Sequence, residues 1–290
     1  MGYRLNKTIK LSQLLAELNI EHIIVNDIEI IGVSSFAELS DGFLSFSKNI
    51  EADDIAGVVF TSDLNAKEKW GNLTEYVYSE NPRLSFILAL SYLELNVGFS
   101  TYEFDSIIDD SVSIGENVVI EKGCIIEKNV VLEHNVIIHS GTIIRKNSRI
   151  RSNSVIGGDG FGFEYLSDRL VRFPHLGGVI IGSNVEIGAM NSIARGTLSN
   201  TIVQDGVKTD NLVHIAHNCE IGKNSLITAC AEISGGVKVG ERVWLGPNCS
   251  IIQKVSIGDC AFVGIGAVVT KDVQSKTLVA GNPAKFIKNL

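Results

Sequence analysis

The stretch Ile215-Ala216-His217-Asn218-Cys219-Glu220-Ile221-Gly222-Lys223-Asn224-Ser225-Leu226-Ile227-Thr228-Ala229-Cys230-Ala231-Glu232-Ile233 places an isoleucine at every sixth position. Read outward, the same beat runs from Ile114 through Ile120, Ile126, Leu132, Ile138, Ile144 and Ile150 to Ile156. It resumes at Ile181, Ile187 and Ile193, then continues from Val203 to Val269 with Thr209 as its one non-aliphatic member. Neither the 3.6-residue helix nor the two-residue strand alternation yields a period of six. Short strands joined by turns and wound as a coil do, because each rung buries one aliphatic side chain on its copy in the next coil. The period predicts a mainly β chain built as a parallel β-helix. The residue two before the beat is usually small, as at Cys124, Cys219, Ala231, Cys249 and Ala261, which suits a tight corner. Glycine often follows the beat, at Gly188, Gly222, Gly240 and Gly258, where its freedom in φ and ψ is expected to be used.

The 290 residues carry a net charge of −8, which with the lack of any Lys/Arg-rich run excludes a nucleic-acid binder. No apolar run approaches the ~18 residues a membrane span needs. Met1–Lys10 has no apolar core of a secretion signal, and the five cysteines show no CxxC spacing. Three of them occupy the small corner position and read as core residues. A cytoplasmic, reduced protein is expected.

The beat is absent from residues 1–102. There Leu11, Leu14, Leu15 and Leu18 have helical spacing. Ile23–Val25, Ile28–Ile31 and Val58–Phe60 read as strands, and Asn81-Pro82 reads as the cap and first residue of a helix reaching about Leu95. This predicts a small α/β domain over 1–102, a β-helix domain over 103–274 and a C-terminal tail over 275–290, with the hinge near Phe99–Asp105. Between Ile156 and Ile181 the beat is interrupted by Gly157-Gly158-Asp159-Gly160-Phe161-Gly162-Phe163 and by Arg172-Phe173-Pro174-His175-Leu176-Gly177. A break this long is a surface excursion of the kind that carries function. A second break slips the beat by four residues at Arg195–Asn200. His217 lies two past an inward-pointing Ile215 and so projects outward. Its imidazole suits proton transfer near neutral pH.

The hexad resembles that of the left-handed β-helix acyltransferases. Several segments narrow this to the UDP-3-O-(3-hydroxyacyl)glucosamine N-acyltransferase family of lipid A synthesis: Leu44-Ser45-Phe46-Ser47-Lys48-Asn49, Asp159-Gly160-Phe161-Gly162-Phe163, Ala194-Arg195-Gly196-Thr197-Leu198-Ser199-Asn200-Thr201 and Ile215-Ala216-His217-Asn218. The resemblance implies a nucleotide-binding N-terminal domain with Phe46 and Asn49 at the base. It implies an amino-sugar site bounded by Phe161, Phe163 and His175, the last in place of the family's usual Gln, with His214 and Asn218 as further substrate contacts. His217 is implied as general base; Asp210, seven residues before it, is read as orienting it or contacting substrate, or as an ordinary exposed turn residue. Donor contacts are expected from Gly235, Gly236, Lys254, Lys271 and Lys285. The family's uracil-stacking Tyr is Ala52 here, a donor-side His is Lys254, and the ending Ala280-Gly281-Asn282-Pro283-Ala284-Lys285 resembles that of CoA-dependent hexapeptide acetyltransferases.

The leading expectation is therefore an N-acyltransferase acting on a nucleotide-linked amino sugar for surface polysaccharide or lipopolysaccharide, with an acyl-CoA such as acetyl-CoA as donor. It would bind no other cofactor and no metal, and it would assemble as a homotrimer. The alternative is the lipid A enzyme itself, fed by acyl carrier protein. From other classes come a zinc enzyme of the γ-carbonic anhydrase type, using His139, His214 and His217, and a purely structural solenoid.

Overall fold

The computed structural model describes residues 2–48, 56–66 and 74–290. They fall into two compact units, Met1–Glu103 with Gly162–Pro174, and Phe104–Phe161 with His175–Leu290.

In the second unit the six-residue beat becomes two-residue strands on three parallel sheets. Partners lie eighteen residues apart, three beats to a coil, as in the series Ile215, Ile233, Ile251 and Val269. From Ile126 onward the beat residues are buried and stack into one continuous aliphatic core. The small corner residues Cys124, Cys219 and Cys249 are buried with them. Ile114, in the first coils, stays exposed. The two breaks leave the beat residues paired, Ile156 with Ile193 and Ile193 with Ile215, with a bulge after Ile156 before Gly158 meets Ala194.

The expected use of glycine is corrected. Gly188, Gly222, Gly240 and Gly258 do not take positive φ; the left-handed residues lie three before the beat, at Asn129, Asn135, Asn147, Asn153, Asn218, Asn224 and Asn248 among others. Asparagine is the non-glycine residue best able to enter that region. Its side chains also chain from coil to coil, Asn129 Nδ2 donating to Asn147 Oδ1 at 3.1 Å and Asn147 Nδ2 to Asn184 Oδ1 at 3.2 Å. The glycines after the beat answer to space instead. A Cβ on Gly188 would stand 2.2 Å from the Asp210 carbonyl oxygen, and one on Gly222 2.4 Å from the Gly240 carbonyl carbon.

The first unit is a five-stranded sheet in sequence order: Tyr3–Lys10, Glu29–Val33, Phe43–Ser47, Gly57–Thr61 and Thr74–Tyr78. Its first pair is antiparallel and the rest parallel. Helix Leu11–Glu17 buries Leu11, Leu14 and Leu15. Helix Pro82–Asn96 is capped by Asn81, whose side chain accepts from the Leu84 N–H at 3.1 Å. Ile23–Val25, expected as a strand, is a loop. Its backbone is held by the buried Glu75 carboxylate, which accepts from Val25 N at 3.0 Å and Asn26 N at 2.9 Å, while Ile23 stays 89% exposed. The interruption of the beat forms a hairpin, Phe163–Leu166 against Arg169–Arg172, that packs within this unit: Glu164 meets Arg83 at 3.0 Å, and Phe173 lies among Phe46 and Phe86. The tail adds strand Thr277–Ala280 to one solenoid face and folds Lys285–Asn289 back on it antiparallel.

Candidate active site

The solenoid unit assembles its chemistry around His217, at the corner that follows strand His214–Ile215. That imidazole Nδ1 meets Asn218 Oδ1 at 2.8 Å. The same Oδ1 accepts from the Thr197 N–H at 3.2 Å and from the Thr197 hydroxyl at 3.0 Å. A backbone N–H can only donate, so the atom it meets is the amide oxygen, and the imidazole nitrogen facing that oxygen must carry a proton. Nε2 is then the basic nitrogen. Asn218 is itself fixed: Nδ2 donates to Ser199 Oγ at 2.8 Å, and its N–H donates to Thr201 Oγ1 at 2.8 Å. The four-residue slip thus builds the socket that sets the His217 tautomer.

The His217 ring is hemmed on its other sides. The buried His175 ring stands edge-on to it, centroids 5.4 Å apart at 76°. Gly160 approaches both rings, and a Cβ on Gly235, one coil on, would lie 2.8 Å from His217 Nε2. The backbone of Gly235, with no side chain, therefore lies beside Nε2.

Of the residues expected at the site, His217, Asn218, His175 and Gly235 come together. Asn218 does so as the holder of His217, with both ends of its amide engaged by protein. The side chain that meets His217 Nδ1 is that of Asn218, while Asp210 lies beyond the other end of strand His214–Ile215, where its carboxylate accepts from the Asn211 N–H at 2.8 Å. His214 is exposed on that strand. Phe161 is 88% exposed, and Phe163 lies under the Arg172 guanidinium at 4.8 Å. Phe46, in the first unit, rests on Phe86 at 4.9 Å. Asn49 and Ala52 lie outside the described residues. Gly235, Gln253 and Lys271 follow His217 coil by coil along one edge, while Lys254, at φ 64, is exposed beside Gly236. Lys271 lines a terminal cavity of about 360 Å³ with Thr277, Val279 and Phe286; Lys285 is exposed on the last strand.

Thr197, Ser199 and Gly160 stand in the quoted segments but were assigned no role from sequence. In the solenoid unit an imidazole–carboxylate pair was also unforeseen: His139 Nδ1 meets Glu121 Oε1 at 3.0 Å, and Glu121 Oε2 accepts from the Ser140 N–H at 2.9 Å. Partial burial works to raise the Glu121 carboxyl, but the Ser140 N–H, His139 and Arg195 together hold it below its ordinary value. His139, His214 and His217 do not converge, and among the described residues no three His, Cys, Asp or Glu side chains are placed to hold a metal ion.

Comparison with known proteins agrees with this architecture. The model of the bacterial transferase hexapeptide (six repeats) matches residues 123–158 and 200–235, and that of the hexapeptide repeat of succinyl-transferase matches residues 236–271. Curated relatives include the UDP-3-O-acylglucosamine N-acyltransferase of Saccharophagus degradans, 58% identical over 76 residues, 26% of this chain and 22% of that protein. The UDP-3-O-acylglucosamine N-acyltransferase 2 of Legionella pneumophila is 52% identical over 134 residues, 46% of this chain and 39% of that protein. The matched regions thus span well under half the length of these relatives. Among solved structures, LpxA from Acinetobacter baumannii superposes with a TM-score of 0.56 at 25% identity, over 63% of this chain and 72% of that one. The UDP-N-acetylglucosamine acyltransferase of Francisella novicida gives 0.56 at 26% identity, over 63% and 68%. The solenoid is a left-handed β-helix, and the chain is a hexapeptide-repeat relative of the nucleotide-sugar acyltransferases.

Proposed function

We propose that this hexapeptide-repeat chain is an N-acyltransferase that acylates the glucosamine amine of UDP-3-O-acylglucosamine, the lipid A reaction, with an acyl carrier protein thioester as donor. The observation that carries the reading is His217, whose Nδ1 is committed to Asn218 Oδ1 at 2.8 Å and whose Nε2 faces the bare backbone of Gly235. In the proposed step the amine nitrogen attacks the thioester carbonyl carbon while its proton passes to His217 Nε2. The C–S bond then breaks, and the leaving thiolate takes that proton back. The names of the relatives favour this reaction over the polysaccharide-type alternative.

Short-chain acyl-CoA is retained as a second donor because of one feature. Lys271 lies three coils beyond His217 on the same edge, about 14 Å away at the usual inter-strand spacing, within reach of a thioester arm whose phosphate would seek a cation. The test is a paired assay of 3-hydroxyacyl carrier protein and acetyl-CoA with the same nucleotide sugar. A carrier-protein rate about a hundredfold or more above the CoA rate supports the lipid A reading, and the reverse ratio overturns its donor.

A further inference from the structure

We propose, on the premise that His217 is the proton acceptor, that His175 is a positioning residue that holds the His217 ring in its working plane. His175 is 4% exposed. Its ring packs edge-on against the His217 ring, centroids 5.4 Å apart at 76°, a contact that opposes rotation of His217 about its Cβ–Cγ bond. Gly160 closes the same space from another side: a Cβ there would lie 2.8 Å from His175 Nε2 and 2.9 Å from both Cβ and Cδ2 of His217. Gly160 has no left-handed φ, so its lack of a side chain serves packing.

One residue ties the parts together. Thr197 accepts the Leu176 N–H on its carbonyl at 2.8 Å, directly after His175, and donates to Asn218 Oδ1 through both its N–H and its hydroxyl. The segment that carries His175 and the amide that fixes the His217 tautomer are thus anchored on the same residue. Asn218 sets which nitrogen is basic, and His175 with Gly160 sets where that nitrogen points. A general base about 1 Å out of place loses on the order of a hundredfold in rate.

The test measures kcat and KM of the full chain for nucleotide sugar and thioester in His175→Ala, His175→Gln and Gly160→Ala, with His217→Ala as reference. His175→Ala is expected to lower kcat about 10- to 100-fold with KM for the sugar within about twofold. His175→Gln, planar and of similar reach, is expected to restore kcat to within about threefold of the parent. Gly160→Ala, whose new Cβ would press on both rings, should repeat the kcat loss at unchanged KM. A His175→Ala protein with parental kcat overturns the proposal, as does one that raises KM while keeping kcat, which would make His175 a substrate contact. If His175→Ala fails to fold, Gly160→Ala decides alone, and unchanged kcat there overturns the proposal. Full turnover in His217→Ala would overturn this inference together with the proposed function. Loss in His217→Ala without loss in the His175 and Gly160 variants removes only the inference.

Discussion

At the scale of the residue, a half-buried imidazole acquires a defined tautomer from its sequence neighbour, and that neighbour acquires its orientation from a loop twenty residues upstream. Asn218→Ala should therefore lower kcat by about 10- to 100-fold with little change in KM, because it removes the acceptor that keeps the His217 proton on Nδ1. Steady-state kinetics with the nucleotide sugar would check this. His217 itself was legible from its motif and its place two past a beat residue. The contacts of Thr197 and Ser199 to Asn218 were not, since the slip segment marks a motif and a break in the coil but not which side chains meet across it. The corner cysteines make a second residue-level statement. Burial pushes the Cys219 and Cys249 thiols up to about 11, from 9.0. Labelling of the native protein with a thiol reagent at pH 8 should modify exposed Cys230 and spare these two. A raised thiol pKa contributes stability that is complete below pH 9 and is lost as the pH rises toward about 11. The melting temperature should accordingly fall over that window, and by less in a Cys219→Ala, Cys249→Ala variant.

At the scale of the element, the beat marks which side chains enter the core, but the corner conformation had to be seen. Glycine after the beat suggested unusual φ there, whereas the left-handed residue is the asparagine three before it. The sequence signal, Asn recurring in step with the aliphatic beat, was present; a side chain both tolerant of positive φ and able to bond its copy in the next coil explains it. The glycines answer to backbone crowding, so Gly188→Ala should destabilise the solenoid by about 1–3 kcal/mol through the 2.2 Å approach to the Asp210 carbonyl, visible as a lowered denaturation midpoint. In the first unit, strand Tyr3–Lys10 was missed although Tyr3, Leu5 and Ile9 are buried on one side of it. Ile23–Val25 misled because a short aliphatic run looks the same whether a sheet or a single buried carboxylate holds its backbone.

At the scale of the molecule, a repeat that contacts only its neighbours lets a chain absorb a nineteen-residue excursion and a four-residue slip with its beat residues still paired and one bulge after Ile156, since each coil needs only the next one. That tolerance allows the His217 corner to be built from the breaks in the pattern. The solenoid was legible because its period is simple. The grouping of Gly162–Pro174 with the first unit was not, because it depends on aromatic contacts to Phe46 and Phe86 that leave no periodic trace. Assembly belongs to this scale as well: a homotrimer is expected, and sedimentation should give three times the 31.4 kDa chain mass, while a fully active monomer would contradict it. The central claim, that this chain transfers an acyl group to a sugar amine through His217, is tested most directly by mass spectrometry of the product formed from UDP-3-O-acylglucosamine and 3-hydroxyacyl carrier protein, with parent and His217→Ala proteins side by side. The account predicts an amide-linked acyl product from the parent and a rate lower by about 10²–10⁴-fold from His217→Ala. No N-acylated product from the parent, or more than a tenth of the parental rate from the variant, would contradict it.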